Sequence, residues 1–196
     1  MQLNSHEEYG KYRRYVVVIT LIFAASLIAG YGYAALNPSE SERFVEELSA
    51  ELGWIRDLSP PQIFLVIFLN NAIKALLAII FGLLIVVPVG FIAYNGWVLG
   101  IVIYEETRTS GYLSVAAGIL PHGVVELPMI ILSAALGMRL GVMTFLRMKG
   151  TISNKDILFE IKRSVNFYLR WILPLLFIAS LIETFITPIV LYLVMG

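Results

Sequence analysis

The strongest constraint in this chain is a long apolar stretch: residues 62–104 carry a single charged side chain, Lys74. About 20 consecutive apolar residues cross a bilayer core, so this stretch is too long for one crossing and too apolar for a surface bathed in water. Pro88, Gly90, Asn95 and Gly96 supply breakers inside it, and the pattern predicts two spans, at about 62–86 and 89–104. Stretches of the same kind lie at about 15–36, 112–136 and 168–194. Hydrocarbon offers no partners for backbone amides, so such spans are helical. The predicted fold is all-α: a polytopic membrane protein of about five transmembrane helices with kinked spans and short interfacial amphipathic helices, one domain over 1–196.

Composition narrows the function classes. With 59% hydrophobic and 14% charged residues and a mean hydropathy of +0.83, the chain lacks the polar surface of an ordinary soluble domain. Lys+Arg and Asp+Glu are equal at 14 each, so no charge excess points to nucleic acid, and the expected partner is the lipid bilayer. The absence of cysteine removes disulfides, thiolate metal sites and thiol nucleophiles. The first apolar run follows Lys11, Arg13 and Arg14, the outline of a signal sequence. Its length exceeds the roughly 7–15 residues of a signal-peptide core, so an uncleaved anchor is expected, although Gly32 and Ala34 are acceptable small residues for cleavage.

Basic residues set the expected orientation, because they collect in cytoplasmic loops near span ends. Two spans within 62–104 bring Lys11, Arg13 and Arg14 to the same side as Arg139, Arg147, Lys149, Lys155, Lys162, Arg163 and Arg170, leaving only Arg43, Arg56 and Arg108 opposite. The amino terminus is therefore expected in the cytoplasm and the carboxyl terminus outside, in a multi-pass protein of the cell membrane. Residues 39–59 read as an external amphipathic helix: Ser39 and Glu42 have capping-box spacing, and Phe44, Leu48, Leu52 and Ile55 recur at helical intervals. Residues 137–167 form a cytoplasmic basic segment, in which Ser153 and Asp156 again have capping-box spacing and Ile157, Leu158, Ile161 and Val165 make an apolar stripe. Its basic residues suit anionic head groups, each worth about 1 kcal/mol.

Polar side chains inside the spans are the informative departures, since a central charge costs about 2.5–3.5 kcal/mol even on the lenient insertion scale. They are Asn70, Asn71 and Lys74 in the second span, Asn95 in the third, His122 and Glu126 in the fourth, and Glu183 in the fifth. At a rise of about 1.5 Å per residue, Asn70 and His122 lie roughly 15 Å below the outer boundary. Lys74 and Glu126 fall about one turn deeper, and Glu183 lies near the midplane. One inward-facing cluster is more economical than several lipid-facing defects. His122 and Glu126, at i and i+4, project from one helix face. They suit a shared proton, or two ligands of a metal such as zinc, for which Glu183 is the candidate third. Hydrogen bonding between packed helices accounts for the same residues without any chemistry.

Pro121, Pro128 and Pro188 lie inside spans. Each removes a backbone donor, and the carbonyls expected to lose their partners are those of Ala117, Val124 and Thr184. Gly82, Gly90, Gly96, Gly100, Ala116, Ala117, Ala134 and Ala135 suit close helix contact, within the chain or in a homo-oligomer such as a dimer.

Several of these residues form longer motifs: Asn70-Asn71, Asn95-Gly96 with Gly100, Pro121-His122-Gly123-Val124-Val125-Glu126-Leu127-Pro128, and Ile182-Glu183-Thr184-Phe185-Ile186-Thr187-Pro188. Together they resemble the stage II sporulation protein M family over nearly the whole chain. The resemblance implies an all-helical, multi-spanning envelope protein that serves as a membrane scaffold for an envelope-remodelling complex, partnered by other envelope membrane proteins. The family's named member works with two peptidoglycan-degrading partners during engulfment; no lytic motif is visible here, and no catalytic residue is assigned. The alternatives are a proton- or cation-coupled transporter or channel using the midplane cluster, and an intramembrane metal-binding enzyme. No cofactor beyond such a metal is expected.

Overall fold

Among the described residues, five helices are long and apolar enough to cross a membrane: Tyr12–Leu36, Pro60–Leu83, Val86–Ser110, Tyr112–Met148 and Asn154–Met195. The computed structural model describes residues 5–195, with side chains from Tyr12 onward; the Lys11 side chain of the predicted basic flank lies outside the described residues. The elements are α1 (Ser5–Leu36), α2 (Pro38–Glu51), a 3-10 segment (Gly53–Asp57), α3 (Pro60–Ile80), a 3-10 turn (Phe81–Leu83), α4 (Val86–Ser110), α5 (Tyr112–Met148), α6 (Asn154–Phe167), α7 (Leu173–Leu181) and α8 (Thr187–Met195). Two π-helical segments, Tyr168–Ile172 and Ile182–Ile186, join α6 to α7 and α7 to α8. The chain is an all-α polytopic membrane protein.

α5 is the spine. Its apolar window is 50% buried, against 17–28% for the other four spans. At about 100° per residue, Met129, Leu136 and Leu140 share one face of α5, and Ile130, Ala134 and Ala135 gather on the opposite side. The first face packs with Ala75 and Ile79 of α3 and with Tyr168, Ile172 and Leu176 of the last span. The second packs with Tyr15, Ile19 and Phe23 of α1 and Ile92 of α4. Outward side chains such as Leu21, Ile28, Val124 and Leu193 remain exposed, as a lipid-facing surface requires.

Glycine sets how closely the helices approach. A Cβ on Gly100 would stand 2.1 Å from the Leu27 carbonyl oxygen, and one on Gly30 would stand 2.1 Å from the Trp97 oxygen. α1 and α4 therefore pack backbone to backbone. Gly82, Gly137 and Gly141 bring the end of α3 equally close to α5. The small residues expected to suit close contact are thus engaged within the chain at Gly82, Gly96 and Gly100, whereas a Cβ on Gly90 would meet nothing within 4 Å. Gly111, at φ +85°, makes the one-residue turn from α4 to α5, a conformation that side chains disfavour.

Two polar clamps lie at opposite ends of the bundle. At one, the buried Ser41 hydroxyl donates to the buried Glu105 carboxylate, and Arg108 bridges Glu42 at 3.3 Å and Glu105 at 3.8 Å, fastening α2 to α4. At the other, Glu160 of α6, only 2% exposed, accepts from Tyr12 Oη at 2.5 Å and from Arg139 Nε and Nη2 at 2.5 and 3.0 Å. The guanidinium of Arg139 lies 4.2 Å from the centre of the Tyr12 ring.

Several boundaries differ from the sequence pattern. The break in 62–104 falls at Phe81–Leu83 and Leu84, where the backbone becomes extended. Pro88 sits in the first turn of α4, where a missing N–H costs nothing, and Asn95 and Gly96 continue the helix instead of breaking it. α5 runs unbroken past Pro121 and Pro128 to Met148, absorbing the start of the expected cytoplasmic segment. α2 starts at Pro38, with Asn37 at the N-cap position making no side-chain cap, so Ser39 lies inside the helix and no Ser39–Glu42 box forms; Glu42 pairs with Arg108 instead. The Ser153–Asp156 box forms as expected. In the second π segment the Thr187 N–H reaches Ile182 O.

Candidate functional site

α3 and α4 follow one another in sequence yet meet little, because each packs on its own side of α5. The space between them is a cavity of about 750 Å³. Asn70, Asn71 and Lys74 line it from α3, Tyr94 and Asn95 from α4, His122 and Glu126 from α5, and Glu183 from the second π segment. All seven polar residues singled out in the sequence share this one space. Pro121, Pro128 and Pro188 do not line it. Leu48, Leu52, Trp54 and Ile55, from α2 and the 3-10 segment, form its outer wall. Ala75, Ile79, Met129 and Leu176 belong to the buried apolar core and do not line the cavity; nearby, Tyr168 Oη donates to Ala72 O at 2.9 Å.

The functional side chains are placed by elementary helix geometry. His122 and Glu126 stack one turn apart on the face of α5 that points between the two packed halves. Glu183 is brought to them by the π segment, whose extra residue per turn changes the direction in which the following side chains point. The candidate ligand atoms of His122, Glu126 and Glu183 all lie within 4.8 Å of one another, and all three residues are half-buried. Among the described residues, neither Glu126 nor Glu183 receives a hydrogen bond, and Lys74 comes within ion-pair distance of neither. Two carboxylates so close together in a weakly solvated space repel unless a proton or a cation lies between them.

The His122 ring is oriented from behind. Thr187, buried at 6% exposure, places Oγ1 3.4 Å from His122 Nδ1 and 3.2 Å from the Ile182 carbonyl. A hydroxyl proton directed at the Ile182 carbonyl leaves the hydroxyl oxygen to accept from Nδ1–H, in one of the two tautomers compatible with the contact. Nε2 then carries the free lone pair. Asn95 is engaged locally, Nδ2 donating to Phe91 O at 2.7 Å, and Asn70 Nδ2 donates to Asn71 Oδ1 at 3.2 Å.

Sequence reasoning missed Thr187, Tyr94 and the buried acids Glu105 and Glu160. Thr187 lies one residue before Pro188 and four after Glu183, which is a faint signal only once the π register is known.

Bilayer-length helices around a cavity into which the polar side chains of three spans gather define a polytopic membrane protein. Residues 19–188 match the family described as Stage II sporulation protein M, and the chain belongs to that family. It is 32% identical over 128 residues to the uncharacterized protein MJ0706 of Methanocaldococcus jannaschii. That match covers 64% of this chain and 56% of the relative, so the chain spans little more than half that protein's length. No solved structure matches the chain.

Proposed function

We propose that the chain handles protons or cations within the membrane, in the cavity between α3 and α4, with access from the α2 side of the bundle. The observation that carries this reading is the convergence of His122, Glu126 and Glu183, from two spans, within 4.8 Å on the wall of a cavity of about 750 Å³. Packing alone is served by neutral polar groups; two unbonded carboxylates facing a cavity are an expensive way to pack helices. The basic residues around the Glu160 clamp favour a cytoplasmic location for that end, the α2 end facing outward.

The test is flux in proteoliposomes, read with an internal pH dye and an internal metal-sensitive dye under an imposed gradient. Wild-type protein is expected to conduct one of the two. Glu126→Gln and Glu183→Gln are expected to abolish it while retaining thermal stability. Folded wild-type protein that moves neither species would end this reading.

Family membership supports a second reading, a membrane scaffold for envelope-remodelling partners, and one feature of the fold favours it. The α2 segment is clamped rigidly to α4 and presents the exposed acids Glu46, Glu47 and Glu51 beside Trp54, which is 53% exposed. Reversal of those three charges is expected to break partner association while leaving flux unchanged. Loss of flux in the same variant would instead tie the segment to the cavity.

A further inference from the structure

We infer that His122, Glu126 and Glu183 form a three-ligand site for a single divalent transition-metal ion of the zinc class, with Thr187 as the positioning residue that presents His122 Nε2 to it. The inference deepens the cation-handling reading of the cavity and rests on it.

Charge is the first argument. Ionised, the two carboxylates and the neutral imidazole carry a net charge of −2 where charge is poorly solvated; a divalent ion neutralises this ligand set, whereas Lys74 on the same wall offsets only one unit. Donor type is the second. A nitrogen ligand beside two carboxylates is poorly matched to magnesium or calcium, which prefer all-oxygen surroundings, and suits zinc and its neighbours, whose catalytic sites hold three protein ligands and one open position. The cavity supplies that open side.

Geometry is the third. Ligand bonds of about 2.0–2.2 Å to a tetrahedral ion place the ligand atoms about 3.4 Å apart. The observed spread of up to 4.8 Å closes to that value by rotation of two flexible glutamate side chains, with no backbone movement. His122, the least adjustable of the three, is the one already held from behind: the Thr187 hydroxyl lies between the Ile182 carbonyl and His122 Nδ1. Metal-binding histidines are commonly held in this way through their second nitrogen. Lys74 stands on the same cavity wall without an ion pair to either acid, so it opposes the metal electrostatically instead of replacing it.

The experiment uses the full chain in detergent, stripped with a chelator and titrated with Zn2+ while bound metal is counted by elemental analysis and unfolding is followed by tryptophan fluorescence. One ion per chain is expected, together with a rise in unfolding temperature. His122→Ala and Glu183→Gln are expected to weaken binding at least 100-fold. Thr187→Val is expected to weaken it about 10- to 100-fold, the range for loss of an outer-shell partner, and Thr187→Ser to restore it. Lys74→Met is expected to tighten binding without loss of stability. Co2+ loaded into the wild-type protein is expected to give the visible absorption of a four-coordinate N/O site, a readout independent of whether any variant folds. Absence of stoichiometric Zn2+ and of that absorption in folded wild-type protein overturns the site. Metal binding unchanged in Thr187→Val, with the same Co2+ spectrum, overturns the role of Thr187. Proton flux through protein that binds no stoichiometric Zn2+ would sink the metal site and leave the cavity's function standing, whereas stoichiometric metal without any flux would do the reverse.

Discussion

Glu160→Ala removes a carboxylate that is 2% exposed and accepts three hydrogen bonds, two from Arg139 and one from Tyr12. The Arg139 side chain is itself only 13% exposed, so the substitution strands a guanidinium away from water. Breaking a buried pair by deleting one partner costs about 3–5 kcal/mol, mostly because the survivor is left uncompensated. At about 2–4 °C per kcal/mol for a chain of this size, the unfolding temperature is expected to fall by about 6–20 °C. Tryptophan fluorescence in detergent or nanodiscs measures this. The double variant Glu160→Leu with Arg139→Met replaces both charges by apolar groups, and is expected to recover at least about 2 kcal/mol of the single-variant losses. Two single variants that each cost under about 1 kcal/mol and add without coupling would refute the clamp as a buried, mutually dependent pair.

Other perturbations follow from the same packing. Gly100→Ala places a methyl 2.1 Å from the Leu27 carbonyl oxygen and is expected to destabilise by about 1–3 kcal/mol through overpacking; Gly32→Ala, with nothing within 4 Å, is the matched control and should leave the unfolding temperature unchanged or raise it. Because the chain has no cysteine, single cysteines at Glu47 and Lys155 report orientation: a membrane-impermeant maleimide on whole cells is expected to label the first, and the second only after permeabilisation. The reverse pattern would overturn the outward assignment of α2. Ser153→Ala removes the acceptor for the Asp156 N–H and half of a formed capping box, and is expected to cost about 1 kcal/mol, read in the same unfolding assay.

The spans were legible because hydrocarbon imposes a length on any helix that crosses it, and 62–104 left no room for another reading. The polar cluster was legible for the complementary reason: Lys74, His122, Glu126 and Glu183 are costly in lipid, and depth along a helix follows from residue count alone. What composition does not encode is register. Nothing in Ile182-Glu183-Thr184-Phe185-Ile186 distinguishes a π turn from an α turn, since the difference lies in one shifted hydrogen bond stabilised by packing on α5. Thr187 was therefore invisible as the partner of His122. Glu105 and Glu160 escaped for another reason. Each lies near a span end, where an acid is expected to face water, and only the arrival of Ser41, Tyr12 and Arg139 from distant parts of the chain turns it into a buried acceptor. The Ser39–Glu42 spacing misled because a capping box is a local pattern, and Asn37 with Pro38 starts the helix two residues earlier.

The architecture also locates any working motion. α1 and α4 are joined backbone to backbone through Gly30, Gly96 and Gly100, while α3 is held to the last span by Tyr168 and the Ala75, Ile79 and Leu176 core. These two units pack on opposite faces of α5, and the seam between them, α3 against α4, is the cavity itself. If the cavity opens and closes, the least costly movement is of the α1–α4 unit against the rest, since it keeps both glycine seams and confines the slip to the face of α5 that packs on α1 and α4. Val66 on α3 and Val98 on α4 both line the cavity. Replaced together by cysteine and joined with bifunctional thiol reagents of graded length, they are expected to halt flux at every length that bridges them, with no fall in unfolding temperature. A bridge between α1 and α4, already one body, is expected to leave flux intact. Full flux across a confirmed α3–α4 bridge would show that the seam is static, and would move the search for the opening to the α2 segment and its Trp54.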